Sequence, residues 1–192
     1  MRIVLINPPI DSVLEHGNVS PVTQYLFYNS APLGILYIAA ILEQAGHVVS
    51  VIDAAAELLD INKTTERVSE FQPDLIGLGS FTVTFETTKK LGDKLKEELP
   101  DVPLVLGSYH VTLVPHDAMS HKCFDVGVLG EGEYTMLELS EHYEGKRKLE
   151  EVNGICYRVE DPTQPEGWRL HKTAKRKKFK ELDKLPFPAR HL

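Results

Sequence analysis

Cysteine is scarce in this chain, with only Cys123 and Cys156 among 192 residues. Neither sits in a paired motif, which argues against both a disulfide framework and a cysteine-based metal cluster. Reduced thiols in the cytoplasm are the expectation. Long apolar runs are also missing. No stretch approaches the ~18 apolar residues of a membrane-spanning helix. The opening Met1-Arg2-Ile3-Val4-Leu5-Ile6-Asn7-Pro8-Pro9 carries no signal-peptide pattern. Positive charge is in deficit, with 21 Lys and Arg against 28 Asp and Glu and a net charge of -7. A general nucleic-acid binder shows the opposite balance. Internal repeats and the P-loop lysine motif are absent as well.

What is present is a regular alternation. Residues 2–6 form a short apolar run closed by two prolines, which suits a strand buried on both faces. Residues 33–45 place apolar side chains at helical spacing, between Pro32 and Gly46. A second strand runs from His47 to Ile52 and closes on Asp53. A helix from Asn62 to Phe71 follows, with Asn62 as its expected cap. The third strand is 74–79. A long helix opens at Thr82 or Thr84 with Leu91, Leu95 and Leu99 on one stripe, and Pro100 ends it. Strand four is 103–107, with a short helix after Pro115. Strand five is 124–129, and the helix Glu133 to Tyr143 stops at Gly145. Five strand–helix alternations predict an α/β fold with a doubly wound, five-stranded parallel sheet of flavodoxin-like order 2-1-3-4-5.

After Gly145 the character changes. Residues 152–159 and 168–171 flank a Pro/Gly/Asp-rich turn region and read as a β-hairpin. The run Lys172 to Lys180 reads as a solvated basic face, and Leu182 to Pro188 as an extended linker. The expected division is therefore 1–146 for the main domain and 147–192 for hairpin and connector. One loop breaks the pattern: Ile10 to Ala31 is far longer than usual and contains Tyr25-Leu26-Phe27-Tyr28. A lid or partner surface and an extra packed helix both fit it.

Three strands end in small polar residues: Ser80-Phe81-Thr82, Gly107-Ser108-Tyr109-His110 and Gly130-Glu131-Gly132-Glu133. In an open parallel sheet such ends share one rim, where ligands bind. Other uses of this architecture fit poorly. A receiver domain needs carboxylates after strand one, an aspartate after strand three and a lysine after strand five. A dinucleotide fingerprint needs Gly-x-Gly-x-x-Gly after strand one. Prolines there also remove the backbone donors of a phosphate loop. No Ser/His/Asp order forms a triad. His110 reads either as a structural hydrogen-bonding residue or as a rim ligand. His116, His121 and Cys123 match no standard zinc spacing and read as surface residues. Glu133 suits a helix start, and Glu131 with its glycines suits a tight turn against a ligand. Asp53 reads as a helix cap or a ligand contact.

Several motifs taken in order resemble a known family. They are Asn7-Pro8-Pro9, Ala31-Pro32-Leu33-Gly34, Gly46-His47-x-Val49 to Asp53, Asp74-Leu75-Ile76-Gly77, Val105 to Thr112 with Pro115, and Gly130-Glu131-Gly132-Glu133. Together they resemble the cobalamin-binding N-terminal domain of cobalamin-dependent radical SAM proteins. Asn153-Gly154-Ile155-x-Tyr157-Arg158 and Leu182 to Arg190 resemble the connector that precedes the radical SAM barrel.

The resemblance implies that cobalamin lies across the strand ends, its dimethylbenzimidazole tail entering near strands three, four and five. The matching positions are Asn7, Pro8, Pro9, Ser80, Phe81, Thr82, Gly107, Ser108, Tyr109, His110, Val111, Gly130, Glu131 and Gly132. Ser108 stands where the family usually has a second glycine. Methionine-synthase-like domains carry Asp-x-His-x-x-Gly after strand one, and this chain does not. The resemblance therefore implies base-off cobalamin with no histidine on cobalt. The Cys-x-x-x-Cys-x-x-Cys motif of radical SAM catalysis is absent too. The expectation is a non-catalytic module whose 4Fe-4S cluster and S-adenosylmethionine belong to a radical SAM domain in cis. A stand-alone corrinoid carrier or interaction module and a small nucleotide- or sugar-binding enzyme are the alternatives.

Overall fold

In the computed structural model, residues 1–10, 20, 30–177, 179 and 181–192 are described. The expectation for the loop 10–31 and its Tyr25-Leu26-Phe27-Tyr28 segment lies almost wholly outside them.

Five parallel strands form the body: β1 (Arg2–Asn7), β2 (Val48–Asp53), β3 (Leu75–Gly79), β4 (Leu104–Gly107) and β5 (Val126–Val128). Residues 3–6, 75–78, 104–106 and 126–128 are buried in unbroken runs. That is the pattern of strands covered on both faces, and it explains why they read as continuous apolar stretches rather than alternations. The parallel order is β2-β1-β3-β4-β5, as the alternation predicts. In register, Asn7 lies beside Asp53 and Gly79 beside Gly107.

Helices α1 (Leu33–Gln44) and α6 (Glu133–Tyr143) cover one face. Their core includes Ile3, Leu5, Leu36, Leu42, Leu75, Met136 and Leu139. Helices α2 (Ile61–Phe71), α3 (Phe85–Glu98), α4 (Tyr109–Leu113) and α5 (Pro115–Ser120) lie on the other. There Val4, Ile6, Val68, Leu91, Leu95, Leu106, Val111 and Phe124 pack together. The stripe expected on α3 is real: Leu91 and Leu95 are buried and Leu99 packs against the same cluster.

Several local details differ from the sequence reading. Helix α2 is capped by Asp60, whose carboxylate accepts the Lys63 N–H at 2.8 Å, and Asn62 is already inside the helix. Asp53 caps no helix. Its Oδ1 accepts the Asn7 side-chain amide at 2.8 Å and the Ala56 N–H at 3.2 Å, closing the turn after β2. Helix α4 was not foreseen, because one turn is too short to show a period. Cys123, read as a surface residue, is buried. Its sulfur lies where a Cβ on Gly92 would come within 3.0 Å, and burial pushes the thiol up to about 12.

The hairpin is β6 (Ile155–Glu160) and β7 (Trp168–Lys172). It continues the sheet: β6 pairs antiparallel with β5, Cys156 opposite Gly127 and Ile155 opposite Val128. Ile155 and Cys156 are fully buried there, so the hairpin covers what would otherwise be a bare edge of β5. Arg158 of β6 fastens it further. Its guanidinium donates to the carbonyls of Met119 at 2.6 Å, His121 at 2.9 Å and Phe124 at 2.8 Å, with Lys122 at 3.4 Å. The segment after β7 returns across α6 to α1. Arg176 donates to Thr135 Oγ1 at 2.7 Å and pairs with Glu138, and the Ala189 N–H reaches the Leu36 carbonyl at 3.0 Å.

Candidate functional site

The C-terminal ends of β1 to β5 converge on one rim. Beyond β3, Ser80 N–H donates to the Gly107 carbonyl at 3.2 Å, and the His110 N–H returns a bond to the Ser80 carbonyl at 3.1 Å. The β3 and β4 loops are thus zipped together past the ladder. Ser80 is 1% exposed, and its hydroxyl lies 3.1 Å from the Phe81 carbonyl. A 3-10 turn at Thr82–Thr84 follows, with Thr84 Oγ1 accepting the Phe81 N–H at 3.1 Å.

His110 is only 4% exposed. Its Nδ1 lies 3.4 Å from Thr82 Oγ1 and its Nε2 3.2 Å from Asp117 Oδ2, and the ring stacks on Phe85 at 3.6 Å between centroids. Burial pushes its pKa below the usual histidine value, partly opposed by the Asp117 carboxylate. Both ring nitrogens are therefore occupied by protein, and His110 holds the rim from beneath. Val111 is fully buried in the core.

The glycines of the strands and their rim include two kinds. A Cβ built on Gly132 would meet the Ile38 Cδ1 at 2.9 Å, so that glycine lets α6 pack on α1. A Cβ on Gly77 would meet Leu5 at 2.7 Å, and one on Gly127 would meet Val111 at 2.6 Å. Gly107 and Gly130 differ. A Cβ on Gly107 would find only the Leu78 carbonyl, at 3.8 Å, and one on Gly130 nothing within 4 Å. Neither position meets a side chain from another segment within 4 Å.

Ser108 sits between them with φ 79° and ψ -160°. That region is essentially reserved for glycine and costs a side-chain-bearing residue about 1–3 kcal/mol. Thr112, four residues on, donates its hydroxyl to the Ser108 carbonyl at 2.8 Å and accepts the Gly130 N–H at 3.0 Å. Ser108→Gly removes the strain, against roughly 0.5–1 kcal/mol of extra chain entropy. The expected result is a net gain of about 1 kcal/mol, read as a higher urea midpoint at unchanged slope.

Beside this opening lies an apolar platform. Phe81 and Tyr109 stack at 5.6 Å with their planes 18° apart, and they are 46% and 64% exposed. Val83, Leu113 and Val114 are also exposed nearby along the same loops. On the other flank, Glu131 accepts the Phe179 N–H at 3.2 Å. A cavity of about 350 Å³ opens there between Glu131, Tyr134, Phe179, Leu182 and Leu185. Asn7 completes the rim through its bond to Asp53, while Pro8 and Pro9 are buried behind it.

The structure thus brings Ser80 to Thr82, Gly107 to Val111 and Gly130 to Gly132 to one place. Asn7 to Pro9 stand farther along the same rim, at the β1–β2 end. Thr112, which the sequence shows only as the end of the Val105 to Thr112 motif, and Asp117, which belongs to no motif, join or brace these loops. Their signal is only a hydroxyl or carboxylate on a short helix after a strand. Among the described residues no cluster of three or more His, Cys, Asp or Glu side chains could hold a metal ion, and no helix is long and apolar enough to cross a membrane.

Several known proteins are similar to this chain. The family model of the B12 binding domain matches residues 20–140. An uncharacterised methyltransferase of Pyrococcus horikoshii is 28% identical over 98% of this chain and 38% of its own length. An anaerobic magnesium-protoporphyrin IX monomethyl ester cyclase of Synechocystis is 33% identical over 84% of this chain and 31% of its own. The chain therefore spans well under half of these relatives. Among solved structures, the cobalamin-dependent S-adenosylmethionine radical enzyme OxsB with aqua-cobalamin and S-adenosylmethionine bound superposes with a TM-score of 0.76. It is 20% identical and is matched over 98% of this chain and 24% of its own. The radical S-adenosylmethionine methyltransferase TsrM of Kitasatospora setae, with cobalamin and a [4Fe-4S] cluster, gives 0.64 at 20% identity, over 87% of this chain and 30% of its own.

Proposed function

We infer the function of this chain from its family: it belongs to the B12-binding domain family. Cobalamin is the cofactor of that family, and we propose that it occupies the open rim between Gly107 and Gly130. The observation that carries this reading is the pair of glycines at the rim, where a Cβ would meet no side chain from another segment within 4 Å among the described residues. When bound, cobalamin supplies cobalt chemistry that no side chain provides. The chain's own residues do the holding. Phe81, Thr82, Gly107 to Tyr109 and Gly130 to Gly132 form the walls around the tail; Ser80, His110 and Val111 back them from beneath, and Asn7 stands on the far side with Pro8 and Pro9 buried behind it. The Phe81–Tyr109 pair offers a flat apolar face, and exposed apolar patches of this kind mark binding surfaces.

We further propose that the cofactor binds base-off with no histidine on cobalt. Supporting this, the sequence lacks Asp-x-His-x-x-Gly after β1, and the rim's His110 is engaged at both nitrogens. The module would work beside a radical SAM domain in cis that carries the 4Fe-4S cluster and S-adenosylmethionine. Relatives named as methyltransferase and as cyclase support either type of whole enzyme, and two free, buried cysteines suit a cytoplasmic location.

Adding hydroxocobalamin, desalting and recording the visible spectrum tests the binding. Retained corrinoid at about one equivalent is the expected result, and none under reducing or non-reducing conditions refutes it. Electron paramagnetic resonance of the reduced complex tests the ligation. The expected cobalt(II) spectrum lacks nitrogen superhyperfine splitting, and a resolved nitrogen triplet would overturn the base-off, histidine-free assignment.

A further inference from the structure

A hydroxyl has one hydrogen to donate and lone pairs to accept with, so it can join two backbone segments at once. Thr112 does this. Its bond to the Ser108 carbonyl, four residues back on α4, is local and common for threonine on a helix. Its bond from the Gly130 N–H spans 18 residues and joins α4 to the β5–α6 turn. Gly107, at the end of β4 just before α4, and Gly130, in the β5–α6 turn, are the two glycines whose Cβ positions meet no side chain. No other side-chain hydrogen bond among the described residues joins Ser108–Leu113 to Gly130–Gly132. His110 performs the matching service on the other side, bracing Thr82 of the β3 loop.

We propose that Thr112 is a positioning residue for the corrinoid: its hydroxyl fixes the separation of the β4 and β5 loops that flank the cofactor's tail. It also donates to the carbonyl of Ser108, whose backbone lies in a region that serine rarely adopts. The cofactor then meets a slot whose width is already set, and less ordering free energy is lost on binding. This inference rests on the binding reading above. Thr112 itself is solvent-exposed, so losing its hydroxyl leaves the Gly130 N–H to water rather than to an apolar core. The effect should fall on binding and not on stability.

The test uses the full chain, with Thr112→Val and Thr112→Ser, and two readouts. Amide hydrogen exchange of Gly130, measured without cofactor, should quicken about fivefold or more in Thr112→Val and stay near wild type in Thr112→Ser. Corrinoid dissociation after loading with hydroxocobalamin should quicken about tenfold in Thr112→Val, roughly the loss of one net hydrogen bond. Thr112→Ser should restore slow release, and all three melting temperatures should agree within about 2 °C. Wild-type dissociation from Thr112→Val overturns the proposal, as does Thr112→Ser releasing as fast as Thr112→Val. If the wild type retains no corrinoid, the binding reading falls. The exchange of Gly130 then still decides whether the bridge exists, and unchanged exchange in Thr112→Val refutes it.

Discussion

Gly107→Phe is expected to abolish corrinoid retention while the protein stays folded. A Cβ at this position meets nothing but a carbonyl at 3.8 Å, so the ring extends into the open rim rather than into the core. The backbone at Gly107 needs no glycine conformation, because its φ is not positive. The sheet hydrogen bonds to β3 continue through Gly77 and Leu78 regardless. The ring occupies the volume assigned to the tail, and affinity should fall by about a hundredfold or more, close to 3 kcal/mol. Desalting after hydroxocobalamin loading reads the loss, and circular dichroism with a urea titration reads the fold. Full retention of corrinoid by a folded Gly107→Phe would move the site elsewhere.

Arg158→Ala is expected to do the reverse, weakening the fold without touching the rim. The guanidinium satisfies three carbonyls at normal hydrogen-bond lengths where α5 turns into β5, and partial burial lowers its pKa. Alanine leaves those carbonyls without their charged donor. Hydrogen bonds to a charged group contribute about 1.5–3 kcal/mol each, but a shared donor is not additive. A loss of about 3 kcal/mol is expected, which lowers the melting temperature by roughly 6–12 °C at this chain length. Lysine should not rescue it, because a single ammonium cannot reach the carbonyls that the planar fork spans. A shift under 2 °C would show that the hairpin is held by β5 pairing alone.

The two variants probe parts of the molecule that were unequally visible in the sequence. The parallel order was legible because continuous apolar runs, proline stops and glycine stops alternate with few interruptions. The rim residues were legible because small residues cluster after β3, β4 and β5. The resemblance that ordered them pointed to the same family that the comparison identifies. The rest depends on non-local geometry. That β6 would pair with β5 cannot be read from a hairpin pattern, since the pattern is the same for a free hairpin. The separation of the glycines into Gly77, Gly127 and Gly132 for packing and Gly107 and Gly130 for open space depends on which side chains approach from other elements. The burial of His110 and the reach of Thr112 across 18 residues likewise come from the turn of α4, which is too short to leave a periodic signal. Asn62 and Asp60 are equally good caps by residue type, and only the path of the loop after β2 decides between them.

The strand order β2-β1-β3-β4-β5-β6-β7 also has a kinetic side. Once β1 and β2 have paired, every later strand joins the same edge in the order in which it is synthesised. No strand has to be inserted between two already in place. A nascent chain can thus lengthen its sheet from one growing end, each addition covering the unpaired edge left by the last. The antiparallel hairpin closes that series cheaply, because β6 and β7 are joined by a short turn and need no crossover helix.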